Sequence, residues 1–168
     1  VLRAHDMGSA RPNPFRFCDG RSYAMPYAAP DFETAFMETV GRDRFVQAGR
    51  RLIALDEVLV GRCVEYAPDP IEPLRLDDLR DEGCLRLGAP TDAAHARTHS
   101  AGRALSRALH GAHDYVEGFW YRSRLTGDEC FATFDRAAVR LTVTTTQDLF
   151  EHPGLPAVLA GHAIVLER

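Results

Sequence analysis

Prolines and glycines decide what the early part of this chain can become. Pro12, Pro14, Pro26 and Pro30, together with Gly8 and Gly20, fall between residues 8 and 30. Each proline lacks a backbone donor and its ring collides with the preceding turn, so no helix runs through the segment. The expected form is a long structured loop with short strands. Helical pattern begins just beyond it. Pro30-Asp31 is an N-terminal cap signal, and Phe32, Ala35, Phe36 and Val40 recur at helical spacing, which predicts a helix over Asp31 to Arg42. Glu38 then sits on the flank of the apolar stripe, outside the fully solvated face.

Downstream, apolar residues alternate over Arg62 to Tyr66 and again over 73–77, either side of a turn-like Pro68-Asp69-Pro70. A second helix is predicted from about Thr98 to His110, with Ala101, Leu105, Ala108 and Leu109 inward and Gly111 as its stop. Tyr115 to Ser123 and Cys130 to Phe134 read as strands around a Thr126-Gly127-Asp128 turn, and Val139 to Thr146 as a further strand. A short helix near Pro156 to Ala160 leads to a last strand within Gly161 to Leu166. Helices and strands mix without a βαβ alternation, so the expected class is α+β. At 168 residues, without an internal repeat or linker, the chain is expected to form one domain over 1–168.

Several classes of function are disfavoured. The 20 basic residues are all Arg and are interleaved with 24 acidic ones, giving a net charge of -4; a nucleic-acid protein would need a basic face. Cys18, Cys63, Cys84 and Cys130 lie too far apart for zinc spacing and read as buried or idle thiols. His95 and His99 stand at i, i+4 but lack a neighbouring carboxylate, so they read as solvated or capping residues, and no metal is expected. No run approaches a membrane span, and Arg3, His5 and Asp6 replace the apolar run of a signal peptide, which points to the cytoplasm. The chain begins at Val1, so an upstream segment is not assumed absent. Glycine-rich phosphate loops and a Gly-x-Ser-x-Gly elbow are both missing.

What remains is a set of polar residues in apolar or aromatic surroundings. Arg16 lies between Phe15 and Phe17, Tyr27 follows Met25-Pro26, Glu38 sits within Phe36-Met37-Glu38-Thr39-Val40, and Ser123 follows Phe119-Trp120-Tyr121. An arginine between aromatics is half buried and needs an anion. A carboxylate in the last turns of an apolar helix needs a cation or a hydroxyl donor. The plainer alternative is that Arg16 and Glu38 pair with each other or with backbone groups.

Three blocks carry a resemblance: Pro26-Tyr27-Ala28-Ala29-Pro30-Asp31-Phe32-Glu33-Thr34-Ala35-Phe36-Met37-Glu38-Thr39, then Leu76-Asp77-Asp78-Leu79 with Leu85-Arg86-Leu87-Gly88, then Gly118 to Arg124 with the Cys130 to Phe134 strand. Over nearly the whole chain they resemble the RES domain family, toxins of type II toxin-antitoxin pairs named for an Arg, a Glu and a Ser. The resemblance implies a fold similar to ADP-ribosyltransferases and consumption of NAD. It places the family's Glu at Glu38, its Ser at Ser123, its two arginines at Arg3 and Arg16, and a Tyr at Tyr27. It further implies a cognate Xre-like antitoxin that blocks the pocket by inserting a terminal segment.

These residue types fit that chemistry. The nicotinamide of NAD is already cationic and leaves neutral, so the demand falls on the oxocarbenium-like ribose left behind. One carboxylate such as Glu38 can hydrogen-bond the 2'-hydroxyl and oppose that charge. Arg3 and Arg16 would fork onto the pyrophosphate, Tyr27 would stack on or hold the nicotinamide, and Ser123 would fix a phosphate or ribose hydroxyl. Depletion of NAD by hydrolysis or phosphorolysis is the first expectation. The alternatives are mono-ADP-ribosylation of a protein such as a nucleotide-synthesis enzyme, and a catalytically silent binding module.

Overall fold

Strand fragments, and not helix, occupy what is described of the proline-rich beginning. The structure is a computed structural model that describes residues 2–6, 15–16, 22–23, 25–45, 49–91 and 100–168, with side chains from residue 25 onward except that of Asp43. The first elements are β1 (Leu2–Asp6), β2 (Phe15–Arg16), β3 (Ser22–Tyr23) and β4 (Tyr27–Ala28). The predicted helix follows but changes form along its length. An α-helix, α1 (Phe32–Phe36), widens into a π-helical turn over Met37–Gly41, and a 3-10 turn over Arg42–Phe45 completes it. Asp31 caps α1 as the sequence predicts, its Oδ1 accepting from the Thr34 amide at 2.8 Å.

Next come β5 (Arg51–Ala54) and α2 (Leu55–Val60), which the sequence pattern left unassigned, and then β6 (Arg62–Pro68), β7 (Leu76–Asp78) and α3 (Gly83–Arg86). The turn between β6 and β7 is closed by Asp69, whose Oδ1 accepts from the amides of Ile71 at 2.8 Å and Glu72 at 3.2 Å. Helix α4 (Ser100–Ala112) runs past Gly111. It presents Leu105 and Leu109 inward as expected, but Ser106 is the fully buried residue and Ala108 is exposed. Ser106 is small enough to sit where α4 approaches Met25, and its hydroxyl lies 3.4 Å from the Met25 sulfur.

The remainder is β8 (Gly118–Arg122), β9 (Glu129–Thr133), a 3-10 turn over Asp135–Arg140, β10 (Leu141–Asp148), a 3-10 turn over Leu149–Glu151, α5 (Leu155–Gly161) and β11 (Ile164–Glu167). Strands β8 and β10 start later than the alternation implied, because Gly118 and the 3-10 turn break the pattern. The expected α+β class is the architecture observed. One sheet has the order β1-β6-β10, antiparallel; a second has the order β4-β9-β8-β7, with only β7 and β8 parallel; β5 and β11 form a parallel pair and β2 and β3 an antiparallel one.

Two apolar clusters hold these layers. Phe32, Phe36, Met37 and Val40 pack with Ile53, Val58, Leu149, Leu155 and Val158, so the helix carrying Glu38 is rooted in this core. Leu79, Cys84, Val116, Phe119, Ala132 and Phe134 pack beneath α4 on the second sheet. Helix α1 touches both β1 and β9 and thereby joins the two larger sheets. Phe36 is fully buried, and Phe36→Ala is expected to cost about 3–5 kcal/mol of stability in urea unfolding, since the vacated volume cannot collapse fully.

On the other face of the second sheet, Arg80 lies over the Trp120 ring at 3.3 Å and bonds both Asp78 and Glu129. The Arg80 guanidinium holds the Asp78 carboxyl down at about 2, below its ordinary 3.8. A depressed folded value stabilises above the unfolded one and is lost as pH falls through the folded one. Unfolding midpoints measured between pH 4 and 2 should therefore fall more steeply in wild type than in Arg80→Ala.

Candidate active site

The change from α-helix to π-turn falls at Glu38. Thr39 donates its hydroxyl back to the Ala35 carbonyl at 2.6 Å, which loosens the local ladder, and such widened turns recur where a side chain must be re-aimed. Arg42, with φ of 47°, ends the segment. Glu38 is thus half-buried at the rim of a cleft lined by Tyr27, Ala28, Ala35, Thr39, Tyr121 and Cys130.

Ser123 approaches from the end of β8. Its amide donates to the Asp128 carbonyl at 2.7 Å and its carbonyl accepts from Gly127 at 2.9 Å, closing the β8–β9 turn; Gly127 takes a φ of +83°, which favours glycine. The buried Ser123 hydroxyl donates to Glu38 Oε1 at 2.6 Å and accepts from the amides of Leu125 at 3.0 Å and Thr126 at 3.1 Å. One donor and two acceptor positions exhaust a hydroxyl. In this arrangement Ser123 has no proton left for a phosphate or ribose, and it holds the carboxylate in place of the ligand. Glu38 Oε2 has no partner among the described residues.

Two described side chains of the cleft wall keep their protons. Burial, with the nearby Cys130 and Glu38 adding to it, pushes the Tyr121 phenol well above its ordinary value. Burial first, and then the charge of Glu38, pushes the Cys130 thiol up to about 12. Neither titrates near neutrality, and among the described residues lining the cleft Glu38 is the one carboxylate, with no cation beside it. About 170 Å³ of non-atom space, open solvent included, lies there, and the described residues leave no enclosed room for even a water, where complete small-molecule pockets hold roughly 300–1,000 Å³. The described residues supply a floor.

Of the residues singled out from sequence, the structure brings Tyr27, Glu38 and Ser123 together. Tyr27 lines the cleft from β4, opposite Ala132 of β9. The backbones of Arg3 and Arg16 lie in β1 and β2, opposite Glu65 and Ser22; their side chains, and with them any pairing of Arg16 with Glu38, lie outside the described residues. Cys18, His95 and His99 lie outside them as well, while Cys63, Cys84 and Cys130 are buried. Tyr121 and Cys130 were missed as site residues. Tyr121 had a signal, since it shares a strand face with Ser123 by two-residue alternation; Cys130 arrives only through the β8–β9 register, in which it faces Tyr121.

The RES domain family model matches residues 3–151. The chain belongs to the RES domain family. Among curated proteins this RES domain is 44% identical over 80 residues to "Probable toxin y4kH" of Sinorhizobium fredii (strain NBRC 101917 / NGR234), a match taking in 48% of this chain. It spans 63% of that relative's own length, under two thirds. Among solved structures, its fold is similar to a chain of the M. tuberculosis MbcT-MbcA toxin-antitoxin complex, with a TM-score of 0.62 at 12% identity over 88% of this chain and 82% of that one. Among the described residues no helix is long and apolar enough to cross a membrane.

The Ser123 bonds set a measurable cost. In Ser123→Ala the Leu125 and Thr126 amides lose a buried acceptor, and unfolding in urea is expected to show a loss of about 1–3 kcal/mol.

Proposed function

We propose that this RES domain is a toxin enzyme that breaks the nicotinamide-ribose bond of NAD, with Glu38 as the catalytic carboxylate. One observation carries the reading: a half-buried carboxylate keeps one oxygen fixed by Ser123 and the other unpartnered among the described residues, in a cleft whose described lining brings it no cation. Such a site favours a species that becomes positive as it reacts. In NAD the bond between ribose C1' and the pyridinium nitrogen breaks with its electron pair passing to nitrogen. Nicotinamide leaves neutral, and positive charge grows on the ribose. At a separation near 4 Å and an effective dielectric constant of 20, attraction to a carboxylate is worth ~4 kcal/mol. Glu38 binds the 2'-hydroxyl side of the ribose through its free oxygen, and Tyr27 and Tyr121 provide flat surfaces that exclude water from the departing ring. Water completes hydrolysis by adding at C1' and losing a proton; inorganic phosphate would complete phosphorolysis.

Membership of a toxin family and the fold shared with a toxin-antitoxin component support growth arrest through NAD loss in the cytoplasm. They also support control by an Xre-like antitoxin that covers the cleft. The fit to NAD rests on the floor alone: the donor set suits the ribose and nicotinamide end, and Arg3 and Arg16 are assigned to the pyrophosphate by family position.

The test is nicotinamide release from NAD by the purified chain, followed by chromatography with and without phosphate and cell lysate. Release in buffer is expected, and Glu38→Gln should slow it about 100- to 1,000-fold, the scale of losing one preorganised electrostatic partner. Release only with lysate, accompanied by label on a protein band, would make the domain an ADP-ribosyltransferase. No release under any condition would leave a binding module.

A further inference from the structure

Thr34 stands in the first turn of α1, where no earlier carbonyl of the helix is in reach of its hydroxyl; Thr39, further on, bonds back to Ala35. Thr34 is fully buried, one helical turn before Glu38, and points its hydroxyl across to the β8–β9 turn instead. Its Oγ1 lies 3.3 Å from Asp128 Oδ2 and 3.3 Å from Thr126 Oγ1, while Thr126 Oγ1 accepts from the Asp128 amide at 3.3 Å. One assignment of protons satisfies all three. Thr34 donates to the Asp128 carboxylate, Thr126 donates to Thr34, and the Asp128 amide donates to Thr126.

The same turn carries the two amides that fix Ser123 Oγ, and Ser123 fixes Glu38. Two residues one helical turn apart therefore grip one turn of chain, Thr34 at its far end and Glu38 at its near end. The β8–β9 pairing and the turn's own backbone bonds fix its shape, and the Thr34 contacts add a hold on its position against α1. We infer that Thr34 is a positioning residue for Glu38: its clamp on Thr126 and Asp128 holds the β8–β9 turn against α1, so that Ser123 keeps Oε1 occupied and Oε2 turned to the cleft.

This inference rests on the assignment of Glu38 as the catalytic carboxylate, and its test separates the two. Thr34→Val keeps the shape and removes the hydroxyl; Thr34→Ser keeps the hydroxyl and removes a methyl. In nicotinamide release from NAD, Thr34→Val is expected to lower kcat by about 10- to 100-fold with KM within about twofold, as misplacement of a reacting group does. Thr34→Ser should stay within about threefold of wild type. Independently of any activity, amide hydrogen exchange at Leu125 and Thr126 should quicken by about tenfold or more in Thr34→Val, with the core amides of Ile53 and Val58 unchanged. Unchanged exchange at Leu125 and Thr126 overturns the clamp, as does an unaltered kcat, or a serine variant as slow as the valine one. If wild type releases no nicotinamide, the exchange measurement alone decides: faster exchange upholds the clamp while the NAD reading falls.

Discussion

The 2.6 Å hydrogen bond from Ser123 to Glu38 is the contact around which the rest of the molecule is arranged. A carboxylate on a solvent-washed helix turns through several rotamers, and a catalytic field is only useful if it points one way before substrate arrives. Here one oxygen is held by a hydroxyl that is itself held by two backbone amides. The donors behind Ser123 belong to a tight turn, and that turn is braced on the helix that carries Glu38. The carboxylate is therefore fixed through covalent chain on one side and through the β8–β9 turn on the other. Family patterns name Ser and Glu as separate letters; the geometry joins them, with the serine hydroxyl holding one oxygen of the carboxylate.

The neighbours of that unit give it its chemistry. Tyr121 and Cys130 bring polarisable, protonated groups to the cleft instead of cations, and burial keeps them protonated. Among the described residues of the floor there is no arginine or lysine, which would neutralise Glu38 and oppose a developing positive charge on a substrate. The absence of lysine from the whole sequence fits that arrangement without explaining it. Cys130, whose thiol is pushed up to about 12, is too poor an anion to act as a nucleophile.

Legibility from sequence followed the range of each interaction. The cap at Asp31, the apolar stripe of Phe32, Ala35, Phe36 and Val40, the turn at Thr126 to Asp128 and the α+β class all depend on neighbours within a few positions, and all were readable. Glu38 and Tyr27 were found because polar residues inside apolar runs are costly and need a reason. What escaped depended on distant partners or on local irregularity. The π-turn over Met37–Gly41, where Thr39 bonds back to Ala35, has no compositional signature. β5 is short and needs β11, more than a hundred residues away, to become a strand. Ser123, singled out to fix a phosphate or ribose hydroxyl, shows the same limit: its alternation on β8 was visible, but the two amides that meet its hydroxyl belong to a turn whose geometry the sequence does not spell out.

Small side chains explain how two separate cores come to share one site. The helix with Glu38 is rooted in the cluster around Phe36, and the β8–β9 hairpin with Ser123 in the cluster around Phe119 and Phe134. Between them lies a third, minor cluster of Ala29, Ala35 and Cys130, packed against Tyr121. Larger residues there would push helix and sheet apart, and a hydrogen bond of 2.6 Å tolerates little displacement. The seam contributes little apolar area of its own. Its contribution is distance: by letting α1 lie close on β9, it converts the rigidity of two packed cores into the fixed separation of one serine and one glutamate.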